Sequence, residues 1–190
     1  IYCSATPEYG KEKFKAKLSR EIERVQAKFP DVLYIGLADG AKDNWIFLRK
    51  YTKRLLLDFY HAREYISKAA SAIFDKDKKS RDAWVDDWSN SLKHKQGTAG
   101  RFIKEVEKQR ANLDKRNFIE RNEEIRKVIG YFNNYKSKMS YAYHSKNNLP
   151  IGSGVTEAAC KTLVKQRMCI SGSMWKDAGA SCVLSLRTLR

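Results

Sequence analysis

The sequence predicts an α/β fold interrupted by an all-helical insertion. Three observations carry that expectation. Two continuous apolar runs, Val32 to Ala38 and Leu55 to Leu57, each end abruptly in an aspartate, the pattern of strands buried on both faces. The segment between them contains KDNWIFLRKY, long enough for a short crossover helix, so the two strands should pair in parallel. Residues 75 to about 140 are different: highly charged, without β-branched runs, and with apolar residues at helical intervals.

The elements follow in order. IYCSA, at the start of the chain and before a Pro-Glu-Tyr-Gly turn, reads as a strand already in progress. Residues 11–29 space Phe14, Leu18, Ile22 and Val25 as one face of an amphipathic helix, which Pro30 closes. After the two strands and their crossover, the chain turns helical from about His61 to Phe74. In the charged segment Ile119, Ile125, Val128, Ile129 and Phe132 belong to one helical stripe, and Gly97-Thr98-Ala99-Gly100 is the clearest internal break. A Gly-rich turn then opens a helix carrying Glu157. An Ile-Ser-Gly-Ser break separates it from a last helix, from about Trp175 to Leu189, in which Ala178, Cys182, Leu186 and Leu189 share a face. This divides the chain into a first part of the core (1–74), a helical insertion (75–145) and a C-terminal part of the core (146–190).

A length of 190 residues suits one domain, or one domain with an insertion. No apolar run approaches the roughly 18 residues of a membrane span, so no membrane partner is expected. The chain begins at Ile1 without a signal pattern, which predicts a fragment of a longer protein. Cys3, Cys160, Cys169 and Cys182 form no C-x-x-C pair and read as reduced, mostly buried thiols of a cytoplasmic protein. The formal net charge of +16 predicts attraction to phosphate polyanions, weakening as salt rises. It is most one-sided over residues 146–190, with seven basic residues against two acidic ones.

Candidate reacting groups lie where the strands end. Ligands of open α/β sheets gather beyond the carboxyl ends of the strands, the position of both Asp39 and Asp58. Asp39-Gly40 also suits a hairpin turn, but the residues that follow look helical rather than like a returning strand. Asp58 and His61 form an Asp-x-x-His, which equally suits an aspartate capping the next helix, or a supporting hydrogen bond to a neighbouring carboxylate. Glu157, with Gly154 as N-cap, would fall at the third helical position, where a glutamate complements the helix dipole. It could also share a divalent cation with Asp39, since Mg²⁺ is usually held by one or two carboxylates plus substrate phosphates. Lys161 and Lys165 follow on the same helix face, as solvated charges or as DNA contacts. Arg167 and Trp175 are further candidates for DNA contact, Trp175 equally for seating the last helix in the core.

Taken together, Asp39-Gly40-Ala41 with Trp45-Ile46, Leu57-Asp58-Phe59-Tyr60-His61, Ile151-Gly152-Ser153-Gly154 with Glu157, Lys165-Gln166-Arg167-Met168, Gly179-Ala180 and Leu186-Arg187 resemble a bacterial insertion-sequence transposase. The similarity is to the Kra-type lineage, related to the Mutator-like DDE transposases, and runs from about Val32 to the end. It implies a ribonuclease H-like mixed sheet with flanking helices and a helical insertion before the last catalytic residue. It further implies Mg²⁺, with Mn²⁺ able to stand in, held by three carboxylates. Asp39 matches the second and Glu157 the third, while the first, with its strand, would lie upstream of Ile1. Asp58 and His61 resemble the supporting Asp/Cys-x-x-His pair of Mutator-like relatives. The implied partners are double-stranded DNA, at element ends and target, and further copies of the protein in a nucleoid-associated complex. The fragment alone, short of one ligand, is expected not to cleave DNA. Two alternatives remain open: a non-catalytic nucleic-acid-binding protein, and a nuclease that does not join strands.

Overall fold

A computed structural model of the protein describes residues 10–113 and 118–188, apart from the side chain of Arg167. The strand expected at IYCSA, and Leu189 of the last helix, lie outside the described residues. Packing divides the chain into two compact units: residues 35–152 form one, and the segments on either side form the other. The compositional boundaries expected after residues 74 and 145 therefore do not coincide with the packing.

The larger unit starts with the strand pair. Strand β1 (Gly36–Ala38) is followed by helix α2 (Lys42–Leu48) and strand β2 (Leu55–Leu57), helix α1 (Gly10–Lys28) belonging to the other unit. The strands are parallel, in the register Gly36 to Leu55, Leu37 to Leu56 and Ala38 to Leu57. Strand, crossover helix and parallel strand thus form as the sequence predicts. Gly36 fits because the chain is crowded there: a Cβ would meet Leu55 Cδ2 at 3.0 Å, Thr52 Cγ2 at 3.1 Å and Leu48 Cβ at 3.2 Å.

The ribonuclease H-like mixed sheet does not form. Of the described residues 72% are helical, and they hold one two-stranded sheet. The reason is visible at both runs. Of Val32 to Ala38, only the last three residues meet a partner, and Val32 and Leu33 stay exposed. In β2, Asp58 follows directly and starts a helix, so the ladder stops after three pairs. Two strands alone are marginal, and helices cover them instead of further strands.

Those helices are α3 (Phe59–Phe74), α4 (Lys78–His94), α5 (Thr98–Ala111), α6 (Phe118–Tyr135) and the short α7 (Tyr141–Lys146), with a 3₁₀ turn at Lys136–Lys138 before α7. Helix α3 buries Ile66 together with Ala62, Ala69 and Ala70, three small residues that let neighbouring helices approach. From α6, Ile125, Val128 and Phe132 are wholly buried, while Ile119 at the start of the predicted stripe is 79% exposed. Leu56, Leu57, Phe102, Val106 and Tyr141 complete one continuous core. The charged segment is therefore no appendage: its inward stripe closes the core over the strand pair. The break at Gly97 is real, since Gly97 takes φ +70 ahead of α5, but Gly100 lies within the helix.

The smaller unit holds α1 (Gly10–Lys28), then α8 (Gly154–Ala159), a π-helical stretch (Cys160–Lys165), α9 (Gln166–Met168) and α10 (Asp177–Arg187). Phe14, Leu18, Ile22 and Val25 form a half-buried line on α1, and the hydroxyl of Tyr34 caps its end by donating to the carbonyl of Phe29 at 2.8 Å. In α10 the buried residues are Ala180 and Leu184, not the predicted face: Cys182 is exposed and Leu186 is 63% exposed. Cys160 and Cys169 are exposed too, so the expectation of buried thiols fails wherever it is described. A single apolar stripe of small residues left the facing direction of this helix underdetermined.

Phe132 meets the ring of Phe102 at 4.4 Å in the middle of the core. Phe132→Ala should cost about 3–5 kcal/mol by removing that side chain without collapse of the cavity. Urea unfolding followed by far-UV circular dichroism measures it; a loss below about 1 kcal/mol would contradict this placement of the core.

Candidate functional site

The parallel register places Asp39 and Asp58 one residue beyond the paired Ala38 and Leu57, at the same end of the sheet. The amide of Asp58 continues the ladder by donating to the carbonyl of Ala38 at 2.8 Å. The two carboxylates nevertheless meet different surroundings.

Asp58 is 1% exposed and caps α3. Its Oδ1 accepts from the amides of Tyr60 at 2.7 Å and His61 at 3.3 Å, satisfying donors that a helix start leaves without intrahelical partners. The neighbouring amide of Phe59 donates to the carbonyl of Ile151 at 3.0 Å. His61 turns along the helix surface, its Nδ1 3.3 Å from the Glu64 carboxylate. The capping reading thus describes Asp58, and the carboxylate beside His61 belongs to Glu64.

Asp39 is exposed on the turn after β1. Its Oδ1 accepts from the amide of Ala41 at 3.2 Å and the side-chain amide of Asn44 at 3.1 Å. The turn needs Gly40, which takes φ +109, a conformation closed to ordinary side chains. The hairpin alternative is excluded, since the chain runs on into α2 and returns in parallel.

Two tyrosines beside this turn escaped the sequence reading. Tyr135 donates from its hydroxyl to the carbonyl of Gly40 at 2.5 Å. Tyr131 stacks on Tyr65 with ring centroids 3.5 Å apart, and its hydroxyl lies 3.6 Å from where a Gly40 Cβ would stand. Burial, then Tyr65 and Tyr135, then Asp39 and Asp58 push the Tyr131 phenol upward, because each disfavours a phenolate there. Tyr141, wholly buried, is pushed upward by burial first and then by Tyr131 and Asp58. The hydroxyls of Tyr131 and Tyr141 have no hydrogen-bond partner among the described residues. The available signal was the spacing of Tyr131 and Tyr135 on either side of buried Phe132, which puts polar-tipped aromatics at the rim of the α6 stripe.

Glu157 lies in the smaller unit. Ser153, rather than Gly154, is the N-cap of α8, so Glu157 sits one position later than expected. Its carboxylate accepts from the Ser153 hydroxyl at 3.2 Å, and its amide donates to the Ser153 carbonyl at 3.0 Å. Gly154, Glu157, Lys161 and Lys165 line one open groove of about 830 Å³, so the acid and both lysines do share a face. The π-helical winding from Cys160 to Lys165 runs through that face, as such bulges often do at functional sites. Trp175 is 42% exposed, which overturns its reading as a core residue. The side chain of Arg167 lies outside those described.

The donor chemistry sorts the candidates for Mg²⁺. Asp39 and Glu157 are exposed carboxylates oriented by hydrogen bonds of 3.1–3.2 Å, suited to a hard cation shared with substrate oxygens. Asp58 does not suit it, being buried with Oδ1 committed to the helix cap. Among the described residues, no group of three His, Cys, Asp or Glu side chains is placed to hold a metal ion. No helix among them is long and apolar enough to cross a membrane. No protein-family model matches the chain, and neither the curated proteins nor the solved structures give a match.

Asp58→Ala should destabilise the larger unit by about 1–2 kcal/mol through loss of the α3 cap, with Asp58→Asn recovering most of it. Chemical denaturation of the two variants measures this; equal loss in both would mean that the charge, and not the cap, is what matters.

Proposed function

We propose that this chain serves DNA transposition, with Asp39 of the larger unit and Glu157 of the smaller each a carboxylate able to ligate Mg²⁺ while phosphodiester bonds are cut and joined. The observation that carries the reading is the placement of Asp39: an exposed acid, fixed by two hydrogen bonds, at the carboxyl end of a parallel strand. When bound, the metal would supply Lewis-acid stabilisation of the charge on phosphate and activate the attacking oxygen. The residues of the chain do the rest. Ala41 and Asn44 orient Asp39, Ser153 orients Glu157, and Lys161 and Lys165 bring positive charge to the same groove as Glu157. The reading rests on these side chains and on the charge of +16, not on a mixed sheet.

Double-stranded DNA is the partner this charge suits, and a nucleoid-associated assembly of several copies would bring two element ends together. Non-catalytic DNA binding is the competing reading, favoured by the absence of a three-ligand cluster among the described residues.

Two experiments separate them. Binding of the chain to a duplex oligonucleotide should weaken at least about 10³-fold between 50 and 200 mM salt, as several phosphate contacts require. Lys161→Ala and Lys165→Ala should each lower the salt slope by about one. A salt-independent affinity would remove DNA as the partner. In a transposition assay with the protein that carries this chain, Asp39→Ala or Glu157→Ala should lower joining by about a hundredfold or more, with duplex binding retained. Undiminished joining would leave DNA binding without catalysis.

A further inference from the structure

We infer that Tyr135 is a positioning residue for Asp39: its hydroxyl, delivered from the far end of α6, clamps the turn on which that carboxylate stands. The inference rests on the reading of Asp39 as a reacting carboxylate, but the clamp itself is a separate physical statement. The Tyr135 hydroxyl donates to the carbonyl of Gly40, the residue next to Asp39, across 95 positions of sequence. Gly40 is also the residue whose φ of +109 turns the chain between β1 and α2. A bond to its carbonyl fixes the Gly40–Ala41 peptide unit, and the N–H of that same planar unit is the donor that holds Asp39 Oδ1.

The clamp is itself held. The ring of Tyr135 lies 6.1 Å from that of Trp45, which is buried on α2, and 5.0 Å from that of Tyr131. Tyr131 is in turn stacked face to face on Tyr65 of α3. The ammonium of Lys138 sits 5.4 Å from the Trp45 ring and 5.6 Å from that of Tyr135, closing the outer side. A tyrosine gripped on three sides loses little side-chain freedom when its hydroxyl bonds, so the constraint reaches Gly40 undiluted. This gives the charged 75–145 segment a role beyond core closure: its last long helix sets the geometry of an acid that stands before it in the chain.

The test uses Tyr135→Phe, which keeps the ring and its neighbours and removes only the hydroxyl. Tyr131→Phe is the control, since it removes a hydroxyl that has no hydrogen-bond partner among the described residues. Backbone hydrogen exchange reads the clamp directly, because the Ala41 amide is bonded to Asp39 Oδ1. In Tyr135→Phe the Ala41 amide should exchange about 3–10-fold faster, the range for loss of one hydrogen bond. The amides of Leu56 and Leu57 in the strand pair should keep their rates, and Tyr131→Phe should match the wild type throughout. An unchanged Ala41 rate, an equal acceleration at all three amides, or the same effect from Tyr131→Phe would each overturn the inference.

A second arm addresses function, with Mn²⁺ alone as the probe. Paramagnetic broadening of the Ala41 and Asn44 amides should need about 3–10-fold more Mn²⁺ in Tyr135→Phe than in the wild type. It should vanish in Asp39→Ala. No broadening in the wild type would sink Asp39 as a metal ligand, whereas the exchange result decides the clamp by itself.

Discussion

Everything described for residues 35–152 depends on a parallel ladder only three residue pairs long, continued by the bond from the Asp58 amide to the carbonyl of Ala38. So short a pair cannot stand alone in water. It persists because Leu56 and Leu57 are wholly buried in the continuous core that the helices share with the strand pair, and because Asp58 turns the strand directly into a capped helix. Burying two leucine side chains contributes on the order of 3–6 kcal/mol, at least as much as the few ladder hydrogen bonds supply. The sheet is thus held by its cover, and the cover is ordered by the sheet.

The ladder also explains why two aspartates in matching positions have different fates. Asp58 ends a strand that passes at once into a helix, so its carboxylate is drawn inward to the first free amides. Asp39 ends a strand that must first cross a turn, so its carboxylate stays outside, steadied by Ala41 and Asn44. Side-chain chemistry is the same in both; the backbone that follows decides which acid is structural and which is available. Glu157 reaches a similar availability by another route, on the first turns of a helix whose cap, Ser153, hydrogen-bonds to its carboxylate.

Much of this was legible in the sequence, in proportion to how local the cause is. The crossover between two apolar runs, the helix over Phe59–Phe74 and the apolar stripe of α6 follow from periodicity and punctuation within one segment. The mixed sheet did not follow, because a continuous apolar run shows only that a strand can be buried; how far it pairs depends on the partner's length, which β2 limits to three. The buried face of α10 was missed for a related reason, since several faces of that helix carry small or apolar residues and only packing chooses Ala180 and Leu184. At the candidate site, Asp39 and Glu157 could be named from position alone. Tyr135 could not, because its bond to Gly40 joins residues too distant for any local pattern to connect.

The end of this ladder is a rigid platform for Asp39, and the amide of Asp58 reports on it most directly. Native-state hydrogen exchange at that amide should proceed only through global opening, with a free energy equal to that of unfolding residues 35–152. Exchange at the rate of a frayed loop amide would contradict the account.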